Sequence, residues 1–403
     1  MNKVFIVSAK RTAIGTFLGS LSTVHPAEYG AEVVKAMLEE TGVEKSAVNE
    51  LILGNILPAG LGQGLARQIS IKAGIPETVP AYGVNMVCGS GMKTIMNGFM
   101  NVQNGLHDVV IAGGAESMSK APYLIPDRAR SGMKLGGFEV KDHMLDDALM
   151  DAFNPIHMGI TAENIVERYN LTRDMQDDLA FESQRRAIEA VDSGRFKDEI
   201  VPFTVKLRKK ELVFDTDEYP NRTTTREILG KLRPAFKKDG SVTAGNASGI
   251  NDGASFVMLA SEKAVKQYNL TPLMEIVGIG QGGVDPNVMG LGPVPAIENA
   301  LAGSEVTFKD IELFELNEAF AAQALGVLTD LEKAYGVTKE DMLKVTNVNG
   351  GAIALGHPVG ASGNRITVTL IHEMLKRKTT YGLASLCIGG GMGTAIILKR
   401  VEA

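Results

Sequence analysis

The stretches "VCGSGMK" (87–93) and "VGASGNR" (359–365) decide how this chain of 403 residues is read. Each is a small-residue turn that leads into helical periodicity. Each is then followed by an apolar run ending in glycines, "DVVIAGGAE" (108–116) after the first and "LASLCIGGGMG" (383–393) after the second. Ser90 to Gly113 spans 23 residues and Ser362 to Gly389 spans 27, longer by one helical turn. Upstream, "VFIVSA" (4–9) is answered by "MEIVGI" (274–279), and "NELILGN" (49–55) by "IELFELN" (311–317). Four matches in the same order mark an internal duplication, with halves of roughly 120 residues. Short β-branched runs alternate with helical segments in both, which predicts a mainly parallel sheet with helices on both faces.

Between the halves the texture changes. "TRDMQDDLAFESQRRAIEAVDSG" reads as a helix with Thr172 as N-cap and Gly194 just past its end. A charged, proline-broken stretch follows, and "NDGASFVMLASEKAVKQY" returns to strand and helix. The expected organisation is an N-terminal half of residues 1–119 plus 250–269, a lid inserted at 120–249, and a C-terminal half of 270–403. A formal charge of −6 and a pI near 5.7 give no general attraction to nucleic acid or an anionic membrane. Two cysteines cannot form a disulfide framework and neither sits in a CxxC pair, which suits a reducing cytoplasm. The opening "MNKVFIVSAKRTAIG" is too short in its apolar run for a signal peptide. "YGLASLCIGGGMGTAIIL" (381–398) is long and uncharged, but its glycines predict strand, turn and strand rather than a membrane span.

Cys88 taken alone is most simply a small buried hydrophobe. The duplication changes that reading, because "VCGSG" and "VGASG" place two turns at helix N-termini facing each other across the join. Unpaired helix N–H groups stabilise a thiolate, so a lowered Cys88 pKa is expected and the residue becomes a candidate nucleophile. His357, in "GHPVG", lies in the matching loop of the second half. His25, His107, His143 and His372 read as ordinary structural histidines, whereas His157, in "NPIHMG", lies at the lid's entry, a position from which a side chain can face a ligand. Cys387 ends a buried strand at a glycine turn whose free N–H groups suit an oxyanion. Asn317 ends the strand equivalent to "LILGN" and either holds a water or substrate carbonyl or caps a helix. A Cys nucleophile, a His and a second Cys at strand ends of a duplicated α/β chain suggest thioester chemistry.

With "NMVCGSG", "NEAF", "GHPVGASG" and "CIGGGMG" in this order, the sequence resembles the thiolase family over essentially its whole length. The resemblance implies the thiolase fold: duplicated α-β-α-β-α halves forming a five-layered core, with an inserted loop domain. "CGSG", "HMG" (157–159) and "MGLGPVPA" (289–296) are similar to the family's biosynthetic, short-chain branch, and "RARSGMKLGGF" (128–138) to its tetramerisation loop. The activity implied by the resemblance is condensation of two acetyl-CoA to acetoacetyl-CoA plus CoA, reversible by thiolysis. No cofactor, metal, nucleic acid or membrane partner is implied, and the chain is expected as a homotetramer.

By the same resemblance, Cys88 would be acylated, His357 would activate it, and Cys387 would be the acid and base for the substrate α-carbon. Asn317 would hold a water that, with His357, binds the enolate oxygen, and the N–H groups of Cys88 and Gly389 would bind the tetrahedral oxyanion. Ser248, His157, Met158, Met289, Ala319, Phe320 and Arg222 would meet CoA and its pantetheine arm. One departure is "DEYPNR", in which Arg222 is displaced by one position from the family's arginine; Arg208 to Lys210 are the basic residues that would compensate. The rival readings are a degradative 3-ketoacyl-CoA thiolase of broader chain length, a ketoacyl synthase, which Cys387 opposes, and a catalytically silent acyl-CoA-binding protein.

Overall fold

The computed structural model describes residues 2–206 and 211–402. Its core is a mixed sheet of ten strands. The first half supplies β1 (Val4–Arg11), β2 (Glu50–Gly54), β3 (Ala81–Val84), β4 (Val109–Ser117) and β5 (Asn251–Ser261). The second supplies β6 (Met274–Gly283), β7 (Leu313–Leu316), β8 (Tyr381–Ile388) and β9 (Met392–Arg400). The remaining strand, Gly15–Thr16, pairs with β5. The order is β7-β8-β9-β6-β1-β5-β4-β2-β3, so the halves meet where Phe5 lies opposite Glu275 and Ile6 opposite Met274. Outward from that seam, β1, β5, β4 and β2 answer β6, β9, β8 and β7.

The sheet is not mainly parallel. Only β2–β3, β2–β4 and β7–β8 run parallel; the other pairs of this series are antiparallel. For β8 and β9 the reason is local: the glycine turn at 389–391 is too short for a crossover and makes a hairpin. The long uncharged run at 381–398 is therefore strand, turn and strand.

The helices that position the site are α1 (Pro26–Thr41), α2 (Leu65–Lys72), α3 (Ser90–Gln103), α4 (Met158–Tyr169), α5 (Arg173–Asp192), α6 (Pro293–Ala302), α7 (Ala321–Tyr335) and α8 (Val359–Arg377). α1 and α2 bury Val33, Met37 and Ile69 against one face of the first half-sheet, and α6 and α7 bury Ile297, Leu328 and Leu331 against the second. Between the half-sheets, Ile95 and Phe99 of α3 pack with Ile366, Leu370 and Met374 of α8. The layers are thus α-β-α-β-α, as expected, with α3 and α8 in the middle.

The two Ser-Gly pairs explain how those central helices come so close. A Cβ on Gly91 would lie 2.9 Å from the backbone nitrogen of Asn364, and one on Gly363 would lie 2.6 Å from that of Met92. Only hydrogen fits at either place. In the intervening segment α5 begins as read, with Thr172 Oγ1 accepting the Met175 N–H at 3.2 Å and Gly194 at φ +71° beyond its end. A fully buried ion pair ties this segment to the first half: Arg11 of β1 bonds Glu199 at 2.7 Å and both carboxylate oxygens of Asp217 at 2.7 and 2.8 Å. Among the described residues no helix is long and apolar enough to cross a membrane.

Candidate active site

Cys88 sits on a strained turn. Val87 before it has φ +46°, a left-handed conformation that a β-branched residue adopts only when its surroundings impose it. The constraints are visible. Asn85 Oδ1 accepts the Val87 N–H at 3.0 Å, and Ser90 Oγ accepts the Met86 N–H at 2.9 Å while donating to Val87 O at 2.6 Å. α3 starts at Ser90, so this turn presents Cys88 at the helix N-terminus.

His357 is held at two atoms. Its backbone N–H donates to Asn251 Oδ1 at 2.9 Å, and its ring Nδ1 lies 2.5 Å from Ser362 Oγ. Gly356, at φ +100°, must be glycine, since a Cβ there would lie 2.4 Å from Asn251 Cγ. The next turn is fixed by Glu116 at the end of β4. Its buried carboxylate accepts the N–H groups of Ile56 (3.0 Å), Leu57 (3.2 Å) and Gly360 (2.9 Å) and the Asn55 amide (2.8 Å), joining loops of both halves. Burial, with the positive charge of Arg365 adding, pushes the His357 pKa down to about 3, so the ring rests neutral.

Cys387 ends β8, and the two cysteines converge on one cavity of about 520 Å³ with a mostly apolar wall. Cys88, His157, Met158, Ser248, Met289, Ala319, Phe320, His357 and Cys387 all line it. Gly389 contributes through its backbone: its N–H and that of Cys88 counter part of the rise that burial causes in the Cys88 pKa. Asn317 is buried and is not among the residues of the cavity wall; among the described residues neither of its side-chain amide atoms has a hydrogen-bond partner. The structure does not bring Arg222 to the cavity wall; its guanidinium is exposed and clasps Asp192 of α5. Arg208, Lys209 and Lys210 lie outside the described residues.

The expected lowering of the Cys88 pKa is overturned. Burial pushes it up to about 11, and the two backbone N–H groups only partly offset that. Burial raises Cys387 further, with Cys88 beside it adding to the effect. Both thiols therefore rest protonated. The remaining histidines serve the scaffold: His25 caps α1, His143 meets Asp147 at 2.5 Å, His372 bonds Ala9 O at 2.8 Å, and His107 lies 3.8 Å from Glu50. His157 does two things, capping α4 through Nδ1 and stacking on Phe236 at 4.5 Å between ring centroids. Phe236, Tyr219, Met118 and Leu149 also line the cavity and were not legible in the sequence, since no local pattern distinguishes them from core residues.

Comparison with known proteins agrees with this geometry. Residues 4–263 match the thiolase N-terminal domain and 270–400 the thiolase C-terminal domain. The chain is 52% identical over 401 residues to an acetyl-CoA acetyltransferase of Pseudomonas aeruginosa, covering 99% of this chain and 100% of that one. It superposes with a TM-score of 0.96 on the structure of acetyl-CoA acetyltransferase from Syntrophomonas wolfei, at 42% identity and full coverage of both chains. Human mitochondrial 3-ketoacyl-CoA thiolase superposes at 0.93, with 43% identity and 99% of each chain covered. The chain belongs to the thiolase family.

Proposed function

We propose that this enzyme is an acetyl-CoA acetyltransferase that condenses two acetyl-CoA to acetoacetyl-CoA plus CoA, and runs the reverse thiolysis, through an acetyl-Cys88 intermediate. The observation that carries the reading is the convergence of Cys88 from the first half with His357 and Cys387 from the second on one apolar cavity. Relatives about half identical over the full chain carry the same activity in their names.

In the first step His357 Nε2 takes the thiol proton and the Cys88 sulfur attacks the acetyl carbonyl carbon. The developing oxyanion meets the N–H groups of Cys88 and Gly389, and the C–S bond to CoA breaks. Cys387 protonates the departing CoA sulfur and is left as a thiolate. In the second step that thiolate removes an α-proton from another acetyl-CoA, whose carbanion attacks acetyl-Cys88 and releases its sulfur, which recovers the proton from His357.

An unactivated thioester carbon acid is weaker than an ordinary thiol by on the order of ten pKa units, so the proton transfer is uphill by on the order of 14 kcal/mol. A Cys387 pKa raised by burial narrows that gap, since a weaker acid leaves a stronger base. A water held by Asn317 would, with the His357 ring, stabilise the enolate oxygen. Ser248, His157, Met158, Met289, Ala319 and Phe320 would hold the pantetheine arm.

A cytoplasmic homotetramer is part of the same proposal. What supports it is that Tyr123, Ile125, Leu135 and Phe138, in and beside the segment 128–138, are each large apolar side chains left exposed, which a neighbouring subunit would cover.

The test separates the half-reactions. Cys387→Ala should still gain an acetyl group on Cys88 from acetyl-CoA, read by intact mass, but should form no acetoacetyl-CoA. Cys88→Ala should gain no adduct. Condensation by Cys387→Ala at the parent rate, or acetylation of Cys88→Ala within the cavity, would refute the mechanism. Thiolysis rates from C4 to C16 substrates distinguish this reading from a thiolase of broader chain length.

A further inference from the structure

We infer that Ser362 is a positioning residue that fixes the tautomer of His357, holding the proton on Nδ1 and leaving Nε2, the ring nitrogen away from Ser362, as a bare acceptor in the cavity that Cys88 also lines. The inference rests on the reading of His357 as the base for Cys88 and extends it to a residue on the opposite side of the ring.

Counting hydrogens assigns the proton. Ser362 is fully buried in the first turn of α8, and its Oγ has two polar neighbours, His357 Nδ1 at 2.5 Å and Pro358 O at 3.0 Å. A serine hydroxyl has one hydrogen. Pro358 O can only accept; besides the N–H groups of Ala361 at 2.8 Å and Ser362 at 3.0 Å it takes the hydroxyl hydrogen, and Oγ meets the ring with a lone pair. Nδ1 must then be the donor. The opposite assignment, with the hydroxyl donating to Nδ1, would leave two oxygens facing each other at 3.0 Å with no hydrogen between them.

The duplication supplies an independent parallel. Ser90, the equivalent residue at the start of α3, donates to a carbonyl of its own turn, Val87 O, and accepts an N–H, that of Met86. The same pattern of one carbonyl acceptor and one N–H donor recurs at both helix starts. In the first half the donor is backbone; in the second it is the His357 ring. An otherwise structural serine has thereby become the group that decides which ring nitrogen is basic. A neutral imidazole in the other tautomer would point an N–H at the thiol and could not take its proton.

The experiment records ¹⁵N chemical shifts of ring-labelled histidine in the full-length protein, with His357→Asn identifying the signal. A protonated Nδ1 and bare Nε2 are expected; a protonated Nε2 overturns the inference. In parallel, single-turnover acetylation of Cys88 is measured by intact mass. Ser362→Ala should slow it at least ten-fold with the acetyl-CoA concentration dependence unchanged, and Ser362→Thr, which keeps the hydroxyl, should recover most of the rate. A folded Ser362→Ala that acetylates at the parent rate overturns the inference while the thiolase reading stands. Parent-rate acetylation by His357→Asn removes the base assignment itself. Should Ser362→Ala fail to fold, the ¹⁵N tautomer of the unmodified protein still decides.

Discussion

Glu116 carries an anomaly at the scale of one residue. A carboxylate buried without a neighbouring cation is held by four N–H donors, yet desolvation outweighs them and, with the charge of Asp252 adding, raises its pKa to about 7. In the unfolded chain it titrates near 4.5. Between those values the native state holds more protons than the unfolded one, so this group's contribution to stability is present below about pH 4.5 and is lost as pH rises through about 7. The total is about 3 kcal/mol at 1.36 kcal/mol per unit. Glu116→Gln removes the titration. Urea unfolding at pH 5 and pH 8 should show the parent gaining on the variant at pH 5 by up to that amount. A parent-minus-variant difference independent of pH would show that Glu116 titrates as an ordinary carboxylate. None of this was legible in "AGGAE", because the partners of Glu116 lie some 60 and 244 positions away. The Cys88 pKa failed for a related reason: the helix N-terminus is written in "CGSG", whereas the burial that overrides it is a property of the assembled loops.

At the scale of elements, the crossing of α3 and α8 sets the distance between the turns that carry Cys88 and His357. Gly363→Ala would push a methyl group against the Met92 backbone, which cannot swing aside as a side chain can. The expected cost is about 1–3 kcal/mol. Because Cys88 and His357 sit in the turns that lead into these two helices, condensation activity should fall more than ten-fold. Gly230→Ala is the contrast, since a Cβ there meets nothing within 4 Å in a short exposed helix. It should gain up to about 1 kcal/mol and leave activity unchanged. Equal effects of the two substitutions, by thermal unfolding and by assay, would show that the crossing does not govern the site. The elements themselves were readable because β-branched strands and Ser-Gly turns carry strong local signatures, each repeated twice. Their directions were not. A strand's polarity depends on the connection that delivers it, and β5 is delivered by the intervening segment rather than by a crossover helix.

For the whole molecule, the duplication has divided the labour. The first half brings Cys88, the second brings His357 and Cys387, and the cavity they line lies where both halves meet the intervening segment. The seam is held by the short pairing of Phe5 and Ile6 with Met274 and Glu275 and by the packing of α3 on α8. Neither half encloses a site by itself. An activity assay on this protein is consequently a folding assay: turnover reports that both halves are folded and docked at the same instant. In a urea titration, condensation activity and far-UV circular dichroism should fall with a single midpoint. Activity that vanishes at clearly lower urea would reveal a state in which both halves keep their helices and strands but have come apart at the seam.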